Sequence, residues 1–472
     1  MLTRFFSMFK RSSSLQFNVI PKHIHKINVN QIDKSAISVI RKLQSEGFLA
    51  FIVGGAVRDL LLGFLPKDFD IATNATPSQI KKCFRRAFII GRRFKIVHVH
   101  QNNKIIEVST FRAKSKTKSK YIGKHGRILA DNIYGTQLED ANRRDFTVNA
   151  FYFNPIENTV FDAHNGIDDI LQKKLRVIGK VDKRFQEDPV RILRILRFIA
   201  KLDFSIDDEI TKSIKKHLHL LNEVPNARLA DEFRKFLLNG YASRGINILA
   251  KWNLLDFFII PININNNTNI YQSMIQMVLS KADQRFNNNQ LISQPFIISV
   301  MLWGNLVDKY SQLNRLIVNN FVRFQMSIKE IIHAQQEKIF LTRLNCYEVK
   351  EIWLLQQKLL SPRLKNINKL LNHRRISAGI DFLELRSEIV FRTIQNLSNN
   401  KKSEKVFIDT QFLHETPKEC LYWANWWRDY LAADNHRRQE MKSNWEKTLI
   451  SANHPRKKHL HKKKSKYLKI NK

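Results

Sequence analysis

The stretch from Phe51 to Ile71, FIVGGAVRDLLLGFLPKDFDI, decides the fold. Apolar Leu49 to Val53 reads as a strand, Gly54 and Gly55 as a turn, the residues after them as a short helix, Pro66 as a break, and the end as a second strand. That alternation belongs to a mixed α/β unit. Side chains alternate across a strand, so Asp68 and Asp70 project from one face while Phe69 and Ile71 enter the core. Neighbouring carboxylates repel, and a divalent cation between them removes that cost. Hard oxygen donors suit magnesium, which takes one or two carboxylates together with substrate phosphates. Gly54 and Gly55 let the backbone approach a phosphate and offer N–H donors to it. The stretch therefore predicts a metal and triphosphate site. An isolated D-x-D more often marks a solvated strand end or an Asx turn; the glycine pair at this spacing upstream separates the two readings.

With 472 residues, 43% of them hydrophobic, the chain can fill the cores of two to four domains. Lys and Arg number 80 against 42 acidic residues, a formal charge of +38. Such an excess points to a polyanionic partner, nucleic acid ahead of a membrane surface. Cys83, Cys346 and Cys420 are far apart and form no C-x-x-C pair. They support neither a disulfide framework nor a zinc ribbon, and favour a reducing compartment. The longest apolar run, Phe296 to Val307, is broken by Gly304 and Asn305 and falls short of a membrane span.

Along the chain, MLTRFFSMFKRSSS opens a basic N-terminal segment, 1–30, that lacks a long apolar core and is not a secretory signal. A frayed basic end is the preferred reading and a mitochondrial presequence the other. Ile32, Ala36, Val39, Ile40 and Leu43 predict a helix from Gln31 to Gln44, stopped by Gly47. Thr76-Pro77 opens another helix with Ile80, Cys83 and Phe84 inward, and strands are expected at Phe88 to Ile90, Ile96 to His100 and Ile105 to Thr110. Glu107 lies in the last of these, which could run beside the Asp pair. AKSKTKSKYIGKHGRILA reads as a basic loop. Arg143 and Arg144 then precede an alternating strand beginning near Asp145; such guanidinium groups serve either in salt bridges or as anion clamps. In EDPVRILRILRFIAKL, Asp188 is the expected N-cap, Pro189 sits at N1, and Ile192, Ile195, Leu196 and Ile199 form the buried stripe. Asp188 and Arg191, one turn apart, offer an acceptor and a donor fork that could meet a base edge or simply cap and bridge the helix. Beyond Asn226 the pattern is helical to about Tyr430, interrupted by the asparagine-rich loop IPININNNTN. Trp423, Trp426 and Trp427 read as core anchors, and PRKKHLHKKKSKYLKINK as a polycationic tail able to bind phosphate backbones.

The order GGAVRD, DFD, EVSTFR, RRDFT, NGIDD, EDPVRILRILRF and ARLADEF resembles the class II nucleotidyltransferases of the polymerase β superfamily, which include CCA-adding enzymes and bacterial poly(A) polymerases. The resemblance runs from about Ile20 to Ile260 and more weakly to Tyr430. IIGRRFKIVHV, IPKHIHKINVNQI, HRRISAGIDFLELRSE, the WANWW helix and the basic tail look like the poly(A) polymerase branch. The implied fold is α+β: a polymerase-β-like head at 31–160, a helical neck at 161–245, a helical body at 246–430 and a basic tail at 431–472. The resemblance implies that Gly54, Gly55 and Arg58 cradle the triphosphate and that Asp68 and Asp70 bind two Mg2+ ions. It ranks Asp145 ahead of Glu107 as third carboxylate. Arg112, Arg143 and Arg144 match nucleotide-binding positions, and Asp188, Arg191, Arg194 and Arg228 match neck residues that hold the base. Two departures stand out: Asn165 replaces a frequent glycine, and Ala130 a frequent arginine. The implied activity is template-independent transfer of AMP from ATP to single-stranded RNA 3′ ends in a bacterial cytoplasm. CCA addition to tRNA is the runner-up and an idle RNA-binding protein the remaining alternative.

Overall fold

The computed structural model describes residues 17–91, 95–113, 133–261, 268–313, 319–339, 341–360, 366–399 and 417–447. The N-terminal arm before residue 17, most of the basic loop with Ala130, the core of the asparagine-rich loop and the tail from residue 448 lie outside them. The chain divides into two compact units, Met1–Arg228 and Leu229–Lys472.

The first unit is built on an eight-stranded sheet. A short strand β1 (Asn18–Pro21) and one turn of helix, α1 (Lys22–His25), lead to α2 (Lys34–Ser45). The Asp33 carboxylate caps α2 by accepting from Ser35 N at 2.7 Å, and Ala36, Val39, Ile40 and Leu43 are fully buried, as the spacing predicts. Gly47 ends the helix with φ +82°, a left-handed conformation that costs glycine little. Next come β2 (Ala50–Val53), α3 (Gly55–Leu61), β3 (Ile71–Thr73) and α4 (Pro77–Cys83). Thr76 and Gln79 close a capping box on α4; Ile80 is buried, whereas Cys83 and Phe84 are only half-buried. The strand expected to carry both aspartates begins at Ile71, so Asp68 and Asp70 stand in its extended lead-in. The alternation still holds: Asp68 and Asp70 are exposed, Phe69 and Ile71 buried.

The hairpin strands β4 (Ala87–Ile90), β5 (Ile96–Gln101) and β6 (Lys104–Thr110) follow, then α5 (Gln137–Arg143), β7 (Phe151–Asn154), β8 (Thr159–Asp162) and α6 (Gly166–Leu171). The strand expected from Asp145 begins only at Phe151, because residues 147–149 close a 3-10 turn in which Phe146 O accepts from Asn149 N and Thr147 O from Ala150 N. The sheet order is β1-β8-β7-β2-β3-β6-β5-β4, with β3 and β6 parallel and the other pairs antiparallel. Asn165 precedes α6 with φ +55°, a conformation Asn tolerates better than most residues. Three helices close the unit: α7 (Val181–Glu187), α8 (Val190–Leu202) and α9 (Asp208–His217). On α8, Ile192, Leu193, Ile195 and Leu196 are fully buried.

From α10 (Asn226–Leu238) onward, all regular structure among the described residues is helical. In the second unit the helix Pro417–Ala432 packs Trp423, Trp426 and Trp427 with Leu355, Leu359, Ile380 and Leu383. Trp427 Nε1 donates to Leu359 O at 2.9 Å, which satisfies the indole inside the core. These tryptophans are core anchors, as expected.

Candidate active site

Gly54 sits between β2 and α3 with φ +69°, and its N–H donates to Phe151 O at 3.2 Å, fixing the turn to β7. A Cβ on Gly54 would stand 3.2 Å from Arg144 Nη1, and one on Gly55 3.4 Å from Arg58 Nη2. The two glycines thus admit two guanidinium groups against one turn. Arg58 is buried: Nη1 donates to Asn149 Oδ1, Nε and Nη2 donate to Asp59 Oδ1 at 2.9 and 2.7 Å, and Cζ lies 5.0 Å from the Phe198 ring centre on α8. Asp59 is also held by Lys201 Nζ at 3.0 Å. Expected in the triphosphate cradle, Arg58 is a brace joining the glycine turn to the 3-10 turn and to α8. Arg144 donates to Tyr152 Oη at 3.1 Å, Asn149 O at 3.3 Å and Asp140 Oδ2 at 3.0 Å, with Cζ 5.0 Å from the Tyr152 ring centre.

The carboxylates singled out by the sequence fall in two different surroundings. The parallel register pairs Ile71 with Val108, so Asp70 stands one step from Glu107 on the neighbouring strand. Asp70 reaches solvent, yet protein crowds its carboxylate. That crowding, then the negative charges of Glu107 and Asp68, lift its pKa to about 6 against the pull of Arg144. Glu107 is half-exposed and lies 3.4 Å from His98 Nε2. Asp145 has different company. Its Oδ2 accepts from Arg194 Nε at 2.9 Å and from Arg194 Nη2, and its Oδ1 from Phe146 N at 2.9 Å and Asn149 Nδ2 at 3.3 Å. Burial alone would raise its pKa; the charge and hydrogen bonds of Arg194, with those from Asn149 and Phe146, hold it below the usual carboxylate value. The sequence ranks Asp145 first as third carboxylate, but the one beside Asp70 is Glu107.

Among the described residues no group of three or more His, Cys, Asp and Glu side chains is gathered into a ready cation cage. Asp68, Asp70 and Glu107 nevertheless fit magnesium by donor chemistry. They are hard oxygen ligands with unbalanced negative charge, and magnesium completes its shell with water and substrate phosphate.

Among the residues expected to hold the base, Asp188 ends α7 and does not cap α8, whose N-cap is Pro189. Its backbone O still accepts from Arg191 N at 3.1 Å, while its carboxylate takes both Nη groups of Arg228 at 2.9 and 3.0 Å. A forked partner outcompetes a single N–H for a carboxylate. Arg191 Nη1 donates to Arg184 O at 2.7 Å, so Asp188 and Arg191 are joined through the backbone and not side chain to side chain. Arg112 Nη2 donates to Lys95 O at 3.1 Å, and Arg112 N to Asp140 Oδ1 at 3.2 Å. Arg143 is half-buried, and its carbonyl accepts from Arg184 Nη2 at 2.7 Å.

Two connecting residues escape a reading by sequence. Asn149 accepts from Arg58, donates to Asp145 and, through its carbonyl, receives Arg144. Asp140 takes Arg144 and Tyr152 Oη, the latter at 2.6 Å. A buried Asn inside an apolar stretch is the signal for the first. The Thr136 and Glu139 capping box, which announces α5, is the signal for the second.

Three family models match the chain: "Poly A polymerase head domain" over residues 50–176, "Probable RNA and SrmB- binding site of polymerase A" over 203–262, and "Polymerase A arginine-rich C-terminus" over 318–399. Poly(A) polymerase I of Haemophilus influenzae is 36% identical over 424 residues, covering 86% of this chain and 94% of that protein. The CCA-adding enzyme of Streptococcus mutans is 38% identical over 224 residues, covering 48% of this chain and 54% of its own length. The solved structure of a CCA-adding enzyme in an apo form covers 92% of this chain and 99% of its own, with a TM-score of 0.53 at 19% identity, a likeness of fold. The chain belongs to the class II nucleotidyltransferases of the polymerase β superfamily, in the poly(A) polymerase family.

Proposed function

We propose that this nucleotidyltransferase extends single-stranded RNA 3′ ends with AMP from ATP, without a template, releasing pyrophosphate. The observation that carries the reading is coverage. The poly(A) polymerase relative is matched over 94% of its length, the CCA-adding relative over 54%. A likeness confined to about half of a protein carries the common chemistry but not the substrate.

Asp68 and Asp70, with Glu107 as third carboxylate, would hold two Mg2+ ions, which supply activation of the attacking hydroxyl and charge stabilisation on the leaving pyrophosphate. The Gly54-Gly55 turn, its Gly54 N–H held by Phe151 O, would let the backbone come close to the triphosphate, and Arg144, anchored by Asp140 and Tyr152, would add positive charge beside it. Arg58 and Asn149 keep that turn in place. Without a template strand the protein selects the base. Each Asp188 oxygen keeps a lone pair after accepting from Arg228, so it can take the adenine amino group while Arg191 or Arg228 donates to a ring nitrogen.

The deciding experiment offers each nucleoside triphosphate in turn, and ATP with CTP together, to an unstructured RNA primer and to a tRNA lacking its terminal CCA. The expected result is long ATP-dependent tails on the primer with poor CTP use on either RNA. Self-terminating addition of C, C and A to the tRNA would replace this reading with CCA addition, which similarity to the streptococcal enzyme over about half of the chain keeps as the second reading.

A further inference from the structure

The segment Ile20 to Ile32, IPKHIHKINVNQI, has no part in the site above, yet it builds a crevice of about 840 Å³ at the edge of the sheet. Its lining includes Lys22, His23, Lys26, Asn28, Glu157 and Asn158. The walls are fixed. His25 is buried beneath them, with Nδ1 accepting from Ile27 N at 3.0 Å, so that Nε2 donates to Asn158 O, also at 3.0 Å. The imidazole stands edge-on to Phe153 at 5.5 Å. Lys26 and Asn158 both adopt left-handed backbone conformations, φ +56° and +55°, which turn the chain around the rim. Lys22, His23 and Lys26 are exposed, and among the described residues neither lysine is in an ion pair. One carboxylate, Glu157, shares the lining with these cations. The half-buried Asn158 has an Oδ1 without a hydrogen-bond partner, and so does Thr159 Oγ1 beside it. Buried polar atoms of this kind call for a partner that the protein itself does not supply.

The crevice is separate from the glycine turn. Phe151, at one end of β7, holds Gly54, while Asn154, at the other, pairs with Thr159. Three residue steps of strand, about 10 Å, separate them.

We propose that this crevice is an accessory RNA subsite that seats one nucleotide of the single strand, its phosphate paired with Lys22 and Lys26 and its sugar or base edge donating to Asn158 after rotation of that side chain. The volume lies within the range of small-ligand sites, and the unpaired cations beside an unsatisfied amide acceptor match a nucleotide's phosphate and donor groups. The proposal rests on the reading of the chain as an enzyme acting on single-stranded RNA. A free nucleotide offers the same chemistry, so the test includes both.

The full chain and three variants, Lys22→Ala/Lys26→Ala, Asn158→Gly and the charge-matched control Lys81→Ala/Lys82→Ala, are titrated with a long oligoadenylate by filter binding across a salt series, with AMP as competitor. Glycine keeps the left-handed backbone at 158, and circular dichroism checks the folding of each variant. At about 0.7 per neutralised phosphate on a single strand, removal of both crevice lysines, which share one phosphate, should flatten the log–log slope by about 0.7, the control by much less. Asn158→Gly should weaken binding about three- to tenfold with the slope unchanged. Primer extension at saturating RNA should stay at the parent level in all of them, and AMP should compete poorly. Equal slopes in the crevice and control variants would overturn the subsite, as would effective competition by AMP, which would make it a free-nucleotide site. Failure of the parent chain to bind oligoadenylate at all would instead bring down the RNA reading and the subsite with it.

Discussion

Replacing Asp145 with Asn and, separately, Glu107 with Gln distinguishes a structural carboxylate from a metal-site one. Asp145 takes two donors from Arg194 and two neutral ones from Phe146 N and Asn149. The amide variant keeps the shape and an acceptor but loses the charge, and hydrogen bonds to charged groups are worth about 1.5–3 kcal/mol. Arg194 is 35% exposed, so water recovers part of its hydration and the cost falls toward about 1.5–2 kcal/mol. At about 2–4 °C per kcal/mol for a unit of this size, the unfolding transition should drop by about 3–8 °C. The pH dependence follows from the lowered pKa of Asp145. A carboxylate depressed in the folded state stabilises fully above its unfolded pKa, about 3.9, and loses that contribution as the pH falls through the folded value. The gap between parent and Asp145→Asn should therefore hold from neutrality to about pH 5 and close in stronger acid. Glu107, 52% exposed and, among the described residues, facing only His98 within ion-pair distance, should behave in the opposite way. Glu107→Gln relieves repulsion on Asp70, so its transition should stay within about 1–2 °C of the parent while AMP incorporation at saturating ATP falls by about two orders of magnitude or more. The measurements are thermal unfolding without metal and single-turnover incorporation with it. Full activity in Glu107→Gln, or an inactive Asp145→Asn with an unshifted transition, would refute the assignment.

Asp68→Ala or Asp70→Ala should abolish nucleotide addition while leaving the unfolding transition and RNA binding close to the parent, because both side chains are exposed; full turnover by the double variant would remove the metal site. Gly54→Ala should cost about 1–3 kcal/mol in stability from a backbone conformation with φ +69°, and should raise the KM for ATP, since its Cβ would stand 3.2 Å from Arg144 Nη1; unchanged thermal unfolding and KM would contradict the geometry. Deleting the chain after Pro455 removes a run without acidic residues and should flatten the salt dependence of RNA binding by about 0.7 for each phosphate that the tail neutralises, with chemistry at saturating RNA preserved; an unchanged slope would leave the tail no part in binding.

What could be read in the sequence was whatever depends on local periodicity. The apolar spacing of α2, the capping signal of α4 and the alternation around Asp68 and Asp70 each rest on residues within one or two turns of one another. Strand β8, only four residues long and directly after a left-handed Asn158, is too short for alternation to register, and the strand expected from Asp145 failed because a 3-10 turn can occupy an apolar stretch as readily as a pleat can.

The roles of the charged residues depend on partners that sequence distance conceals. Arg58 sits beside the glycine pair, as a phosphate clamp should, but Asn149, 91 residues later, and Phe198 on α8 supply an acceptor and a ring that turn it inward. Asp145 lies in a motif that suggests catalysis, and Arg194, 49 residues on, claims its carboxylate. Glu107 becomes a neighbour of Asp70 only through the parallel pairing of β3 with β6, a register that no local pattern specifies. Asp188 shows the same dependence, since its expected capping role passes to its backbone carbonyl once Arg228, 40 residues away, takes the carboxylate. In each case the residue type was evident and its duty was set by a partner remote in sequence. Substitutions at Arg194 and Arg228 should therefore disturb Asp145 and Asp188 before they disturb any bound nucleotide.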